Sequence, residues 1–139
     1  MNVTGNSAPA GRVPSKSPGT APDVNRVDCP SRGVLEHVTS RWGVLVLAAL
    51  LHRSYRFSEL RRQVGGVSEK MLAQTLQALE RDGFVHRAAK PVIPPRVDYS
   101  LTPTGREVAE QVSALARWVE GRLDDVLTAR KAYDATREA

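Results

Sequence analysis

The stretch from Ser58 to Asp82 constrains this chain more than any other, because it spells a short helix, a glycine turn and a second helix. Within the second helix Leu72, Leu76 and Leu79 recur at helical spacing. With Lys70 set at zero and about 100° per residue, the leucines fall at about 200°, 240° and 180°. Gln74, Gln77 and Arg81 fall at about 40°, 340° and 20°, on the opposite side. One face is therefore built for burial, and the other carries only long polar side chains. Ser68 is the expected N-cap and Gly83 the expected stop. Upstream, Ser58 is the expected cap of a short helix whose Leu60 and Val64 point inward, and Gly65-Gly66 makes the turn.

The flanks show what the leucine face packs on. Pro30 suits a first helical turn, followed by the short apolar stripe Val34, Leu35, Val38. Trp42, Leu45, Val46, Ala49 and Leu50 predict a second helix over Arg41–Leu51 with one buried face. Tyr55-Arg56-Phe57 reads as a short extended segment. After Gly83, Val85–Ala89 and Val97–Leu101 read as strands around a tip, Lys90–Arg96, stiffened by Pro91, Pro94 and Pro95. Thr102-Pro103 then opens a long helix to about Ala129. Val108, Val112, Leu115, Val119, Leu123 and Val126 track along one of its faces, with Trp118 close by.

The expected fold is mainly α with a small two- or three-stranded antiparallel wing. It is a winged helix-turn-helix. The apolar face of the last helix is longer than a small wing can cover, which points to a partner helix from a second copy. Val34, Leu35, Val112, Leu115, Trp118, Val119 and Leu123 are the candidate dimer contacts. Residues 1–28, rich in Pro, Gly, Ser, Ala and Asn, read as a disordered tail whose Arg12, Lys16 and Arg26 are weak candidates for DNA contact. Residues 29–130 form the domain, and 131–139 a C-terminal tail.

Charge points to the partner. The net charge of +5 is unevenly placed. Residues 52–106 hold ten Lys/Arg against five Asp/Glu, and residues 107–139 hold five against seven. A basic centre beside an acidic helix fits a double-stranded DNA surface with a separate dimerisation element. The polar face of the second helix has the chemistry for base reading. Gln pairs bidentately with adenine and Lys reaches guanine O6 and N7. Ser68 and the free N–H groups of the first turn can hold a phosphate, and the Thr75 methyl can meet a thymine methyl. Arg61, Arg62, Lys90 and Arg96 are candidate phosphate contacts, with the wing placed to enter a minor groove.

These residues resemble the HxlR-type transcriptional regulators over about residues 29–128. The resemblance rests on Cys29-Pro30, Arg41-Trp42, Phe57-Ser58-Glu59-Leu60, and Val67-Ser68-Glu69-Lys70-Met71-Leu72. It continues through Leu76–Val85, the string Pro95-Arg96-Val97-Asp98-Tyr99-Ser100-Leu101-Thr102-Pro103-Thr104-Gly105, and Trp118. It implies a DNA-binding regulator that dimerises through its N- and C-terminal helices, with one recognition helix per operator half-site. Gln77 departs from the Arg frequent in the family, which implies a different base preference. The N-terminal tail lies outside the resemblance.

Cys29 is the only cysteine, so no intrachain disulfide can form. It stands where some members of that family keep a redox- or electrophile-sensing thiol; a small buried hydrophobe is the alternative. His37, His52 and His86 have no metal-like spacing, and no catalytic set stands out, so neither enzyme nor cofactor is expected. No apolar run approaches the roughly 18 residues of a membrane span, and no secretory h-region opens the chain. The expected setting is cytoplasmic, with no membrane partner. An apolar pocket between the second helix and the long last helix is a candidate site for a small effector. The rival functions are a winged-helix protein-interaction module, which needs an apolar or acidic recognition face, and a non-specific architectural DNA binder, which needs Lys/Arg at most of its exposed positions.

Overall fold

The computed structural model describes residues 21–138, and the chain divides between Gly33 and Val34 into two units. Arg12 and Lys16 lie outside the described residues. In the first unit, residues 21–28, expected to be tail, form consecutive hydrogen-bonded turns. Asp23 Oδ1 accepts from the Asn25 N–H at 2.9 Å, and the Asp23 carbonyl accepts from the Arg26 N–H at 3.1 Å. Helix α1 (Pro30–Thr39) begins after Cys29 and crosses the division.

The second unit continues with α2 (Arg41–His52), β1 (Tyr55–Arg56), α3 (Phe57–Gln63), α4 (Glu69–Arg81), β2 (Val85–Lys90), β3 (Arg96–Leu101), α5 (Pro103–Gly121) and α6 (Leu123–Glu138). The three strands form one antiparallel sheet in the order β1-β3-β2. Tyr55 pairs with Tyr99, and Val85 through Lys90 pair with Leu101 through Arg96. The wing therefore has three strands, the first being the short segment at Tyr55.

The core is the leucine set the periodicity singled out, joined by α2. Val46, Leu47, Leu50, Leu60, Leu72, Leu76 and Leu79 are all under 2% exposed or close to it. Ala109 and Val112 of α5 complete the cluster against α2. Burying side chains of this kind stabilises by about 1.5–3 kcal/mol each relative to exposure. The α2–α5 interface is filled by these side chains, so the expected effector pocket between the two helices finds no support there.

Two expected caps are present, Ser68 accepting from the Met71 N–H at 3.1 Å and Thr102 from the Gly105 N–H at 2.9 Å, and Ser40 caps α2 by accepting from the Gly43 N–H at 3.1 Å. Gly66 and Gly83 both take φ of 85°, the left-handed conformation that ends a helix without a Cβ penalty.

Four expectations are corrected. Helix α3 starts at Phe57 and is capped at Arg56, not Ser58. The Glu59 carboxylate accepts from the Arg56 N–H at 2.9 Å, which satisfies the first orphan donor two residues earlier. The long last helix breaks at Arg122, whose N–H turns back to the Trp118 and Val119 carbonyls beside the weak helix former Gly121. Residues 131–138, expected as tail, belong to α6. Val112, expected at a dimer interface, is buried in the protomer's own core because the first half of α5 packs on α2.

Gly105 sets how closely α5 approaches the wing. A Cβ there would collide with the Phe84 carbonyl, whereas a Cβ on Gly121 meets nothing. Gly105→Ala should therefore destabilise by about 1–3 kcal/mol through overpacking. Gly121→Ala should stabilise by up to about 1 kcal/mol through helix propensity. Urea unfolding of both variants checks the opposite signs.

Candidate nucleic-acid interface

Helix α4 presents the polar stripe outward. Lys70, Gln74, Gln77 and Arg81 are all exposed, and Leu72, Leu76 and Leu79 on the far side are buried. The Ser68 cap leaves the first-turn N–H groups of Glu69 and Lys70 at an exposed helix start, the positive end of the helix dipole. Thr75 is half-buried, and its hydroxyl donates to the Met71 carbonyl at 2.7 Å.

Arg61 and Arg62 flank this helix start. Together with Phe57, Ser58, Gly66, Val67, Ser68 and Glu69 they line a cavity of about 610 Å³ between α3 and the beginning of α4. Arg61 is engaged by Glu69 at 3.1 Å, an exposed pair that competing anions can displace at little cost. Arg62 is exposed.

The wing base is organised by a residue the sequence reading passed over. Lys90 and Arg96 lie opposite each other across the β2–β3 ladder, a like-charge pair that would repel. Asp98, two residues along β3, binds both: Arg96 Nε at 2.9 Å and Lys90 Nζ at 3.7 Å. The hydrogen bond from Arg96, with the nearby positive charges, holds the Asp98 carboxyl below its usual pKa, and the same bond raises Arg96. The trio thus carries one net positive charge, not two. The alternation along β3 placed Asp98 on a strand, but only the cross-strand register shows what it neutralises.

The three-turn apolar surface expected for a partner is partly present. Leu35, Leu115, Trp118, Val119 and Leu123 are exposed, and Val34 is half-buried. Val126, Leu127 and Tyr133 extend the same exposed apolar character along α6, which buries nothing in the protomer.

Cys29, in the first unit, is buried. Its Sγ accepts from the Asp23 N–H at 3.4 Å and lies 3.0 Å from the Ser31 hydroxyl. These hydrogen bonds, the one from Asp23 first, lower the thiol pKa from its usual 9.0. Among the described residues no group of His, Cys, Asp and Glu could hold a metal ion, and no single helix is long and apolar enough to cross a membrane.

His37 makes a contact that the sequence does not show. Its Nδ1 lies 2.6 Å from Asp82 Oδ2, at the end of α4. No local signal joins two positions 45 apart in the chain.

Known proteins carry the same features. The chain is 66% identical over 102 residues to the HTH-type transcriptional regulator YtfH of Escherichia coli K12, itself uncharacterised, covering 73% of this chain and 81% of that protein. The solved structure of the transcriptional regulator ytfH from Salmonella typhimurium is similar at 58% identity and a TM-score of 0.76, over 80% of this chain and 99% of that one. The redox regulator HypR in its oxidised form is similar at 33% identity and a TM-score of 0.62, over 67% of this chain and 96% of that one. Residues 37–126 match the HxlR-like helix-turn-helix family. With the winged helix-turn-helix geometry and this match over most of its length, the chain belongs to the HxlR-like family of transcriptional regulators.

Proposed function

We propose that this regulator binds a near-palindromic operator as a homodimer, acting in the cytoplasm as a repressor. The observation that carries the reading is the exposed Lys70–Gln74–Gln77–Arg81 stripe, backed by fully buried leucines that hold it rigid. Gln74 and Gln77 supply hydrogen-bonding patterns for adenine, Lys70 for guanine. Arg62, the α4 start and the wing base supply phosphate contacts that fix register. Two such helices, about 34 Å apart in a dimer, would read successive major grooves.

The dimer reading draws support from Leu115, Trp118, Val119 and Leu123, which are 47–59% exposed on α5 and the start of α6. Helical surface this apolar is costly to leave in water, and a second copy of the same helices covers it symmetrically. Regulation through Cys29 is supported by its lowered pKa, which raises the thiolate fraction at neutral pH. HypR, a structural relative at 33% identity, is a redox regulator, which favours a redox role for this chain.

Competition between the duplex enriched by in-vitro selection and a scrambled duplex, across a salt series, tests the core reading. The selected duplex should bind about 10³-fold or more tighter; equal affinity for both would reduce the protein to a non-specific binder. Gln74→Ala should cost about 1–3 kcal/mol on the selected duplex and relax preference at one base pair. Unchanged affinity and footprint would remove Gln74 from the interface.

The pH profile of Cys29 alkylation should have its midpoint below 9.0, because a lowered pKa exposes thiolate at lower pH. Ser31→Ala should shift that midpoint upward by removing one of the stabilising hydrogen bonds. Cys29→Ser should retain operator binding and lose any response to diamide. A response that survives in this variant would exclude the thiol as the sensor.

A further inference from the structure

Several contacts tie the second half of α1 to the rest of its unit. Val38 enters the core. The corner into α2 is closed by Ser40, whose hydroxyl donates to the His37 carbonyl at 3.0 Å and accepts from the Gly43 N–H at 3.1 Å. Gly43 passes so close to the His37 carbonyl that a Cβ there would collide with it. These contacts fix the backbone of His37.

The His37 ring then reaches a different element. Its Nδ1–H donates to Asp82 Oδ2 at 2.6 Å. Asp82 is the C-cap of α4, and its side chain is only 11% exposed. A carboxylate at this end of a helix faces the negative pole of the helix dipole, so it needs a donor from elsewhere. His37 is that donor, and a charge-assisted bond of this length is among the stronger kinds.

Farther along α4 the two elements stand apart. A cleft of about 180 Å³ lies between the α1–α2 corner and the middle of α4, lined by Glu36, His37, Ser40, Gln74, Thr75 and Ala78. Packing leaves this space open, and the His37–Asp82 bond, together with Val38 in the core, ties the two elements at its edge. Gln74, in the exposed stripe, also borders the cleft. A change in the angle of α4 against α1 therefore moves Gln74 directly.

We propose that His37 is a positioning residue for DNA reading: its bond to Asp82 fixes the angle between α1 and α4, and thereby the aim of the stripe Lys70–Gln74–Gln77–Arg81. The inference rests on the reading of α4 as the base-reading helix.

The test compares His37→Ala, His37→Asn, Asp82→Asn and the double variant His37→Ala/Asp82→Asn with the wild type. The amide nitrogen of Asn can stand in for Nδ1 as donor to the carboxylate. Binding is read on the selected and the scrambled duplex, over a salt series, and amide hydrogen exchange is read on the free protein. His37→Ala should weaken binding to the selected duplex by about 10–150-fold, the range that corresponds to loss of one hydrogen bond to a charged group. Binding to the scrambled duplex and the salt slope should stay unchanged, since no phosphate contact is touched. His37→Asn should restore most of the loss, and the double variant should be no worse than His37→Ala alone.

In the free protein, His37→Ala should speed exchange of the last-turn amides of α4 by about 5-fold or more while those of α5 stay unchanged. Several results would overturn the proposal. One is selected-duplex affinity within two-fold of wild type. Another is equal loss on both duplexes, which marks general destabilisation. Failure of His37→Asn to rescue is a third. Unchanged exchange in α4 overturns it independently of DNA. If the wild type itself does not distinguish the duplexes, the sequence-specific reading fails, and the exchange measurement alone decides whether His37 positions α4.

Discussion

The burial of Leu72, Leu76 and Leu79 against the core is the contact on which the rest of the molecule depends. Each of the three is at most 2% exposed, and they anchor a helix whose other side is wholly solvent-facing. A reading helix has to offer long polar side chains to a groove without their flexibility passing into the backbone. Close packing of the leucines on α2 supplies that rigidity, because interiors packed to crystal-like density resist displacement. The cap at Ser68 and the left-handed Gly83 just past Asp82 end the helix at defined points, so the exposed stripe has a fixed length and phase.

The wing is tied to this helix with little freedom. Phe84 donates back to the Leu79 carbonyl at 2.9 Å, and the Phe84 carbonyl accepts from the Thr102 N–H at 3.0 Å. The Thr102 hydroxyl donates to the Gly83 carbonyl at 2.6 Å while also capping α5. One threonine thus joins the end of α4, the end of β3 and the start of α5. The sheet and the reading helix are set relative to each other by hydrogen bonds rather than by bulk alone, which suits a surface that has to match a rigid duplex.

Electrostatics at this surface are more local than the basic total implies. Of the four expected phosphate contacts, Lys90 and Arg96 share Asp98 and Arg61 meets Glu69, leaving Arg62 the most available. Pairing of this kind holds the cations in place before a ligand arrives. The exposed Arg61–Glu69 pair contributes little to stability, so exchanging that carboxylate for a phosphate costs little.

Much of this was legible in the chain itself. The 3.6-residue spacing of Leu72, Leu76 and Leu79 decided which face of α4 is buried, and the capping residues decided where helices begin, since both act over a few residues. The string Arg96–Gly105 marked the family for the same reason, being one contiguous piece of wing and helix start. What the sequence left open depends on groups far apart in the chain. Val112 was placed on an outer face because its spacing matches Leu115 and Val119, yet the approach of α2 to α5 made it core. The cap of α3 moved to Arg56 because a Glu59 carboxylate competed for its N–H, a choice between neighbours that propensity does not rank. Asp98 between two cations, and His37 on Asp82, exist only once strand register and helix packing bring the partners within hydrogen-bonding distance. Periodicity fixes which side of an element is apolar; tertiary packing alone decides which element that side meets.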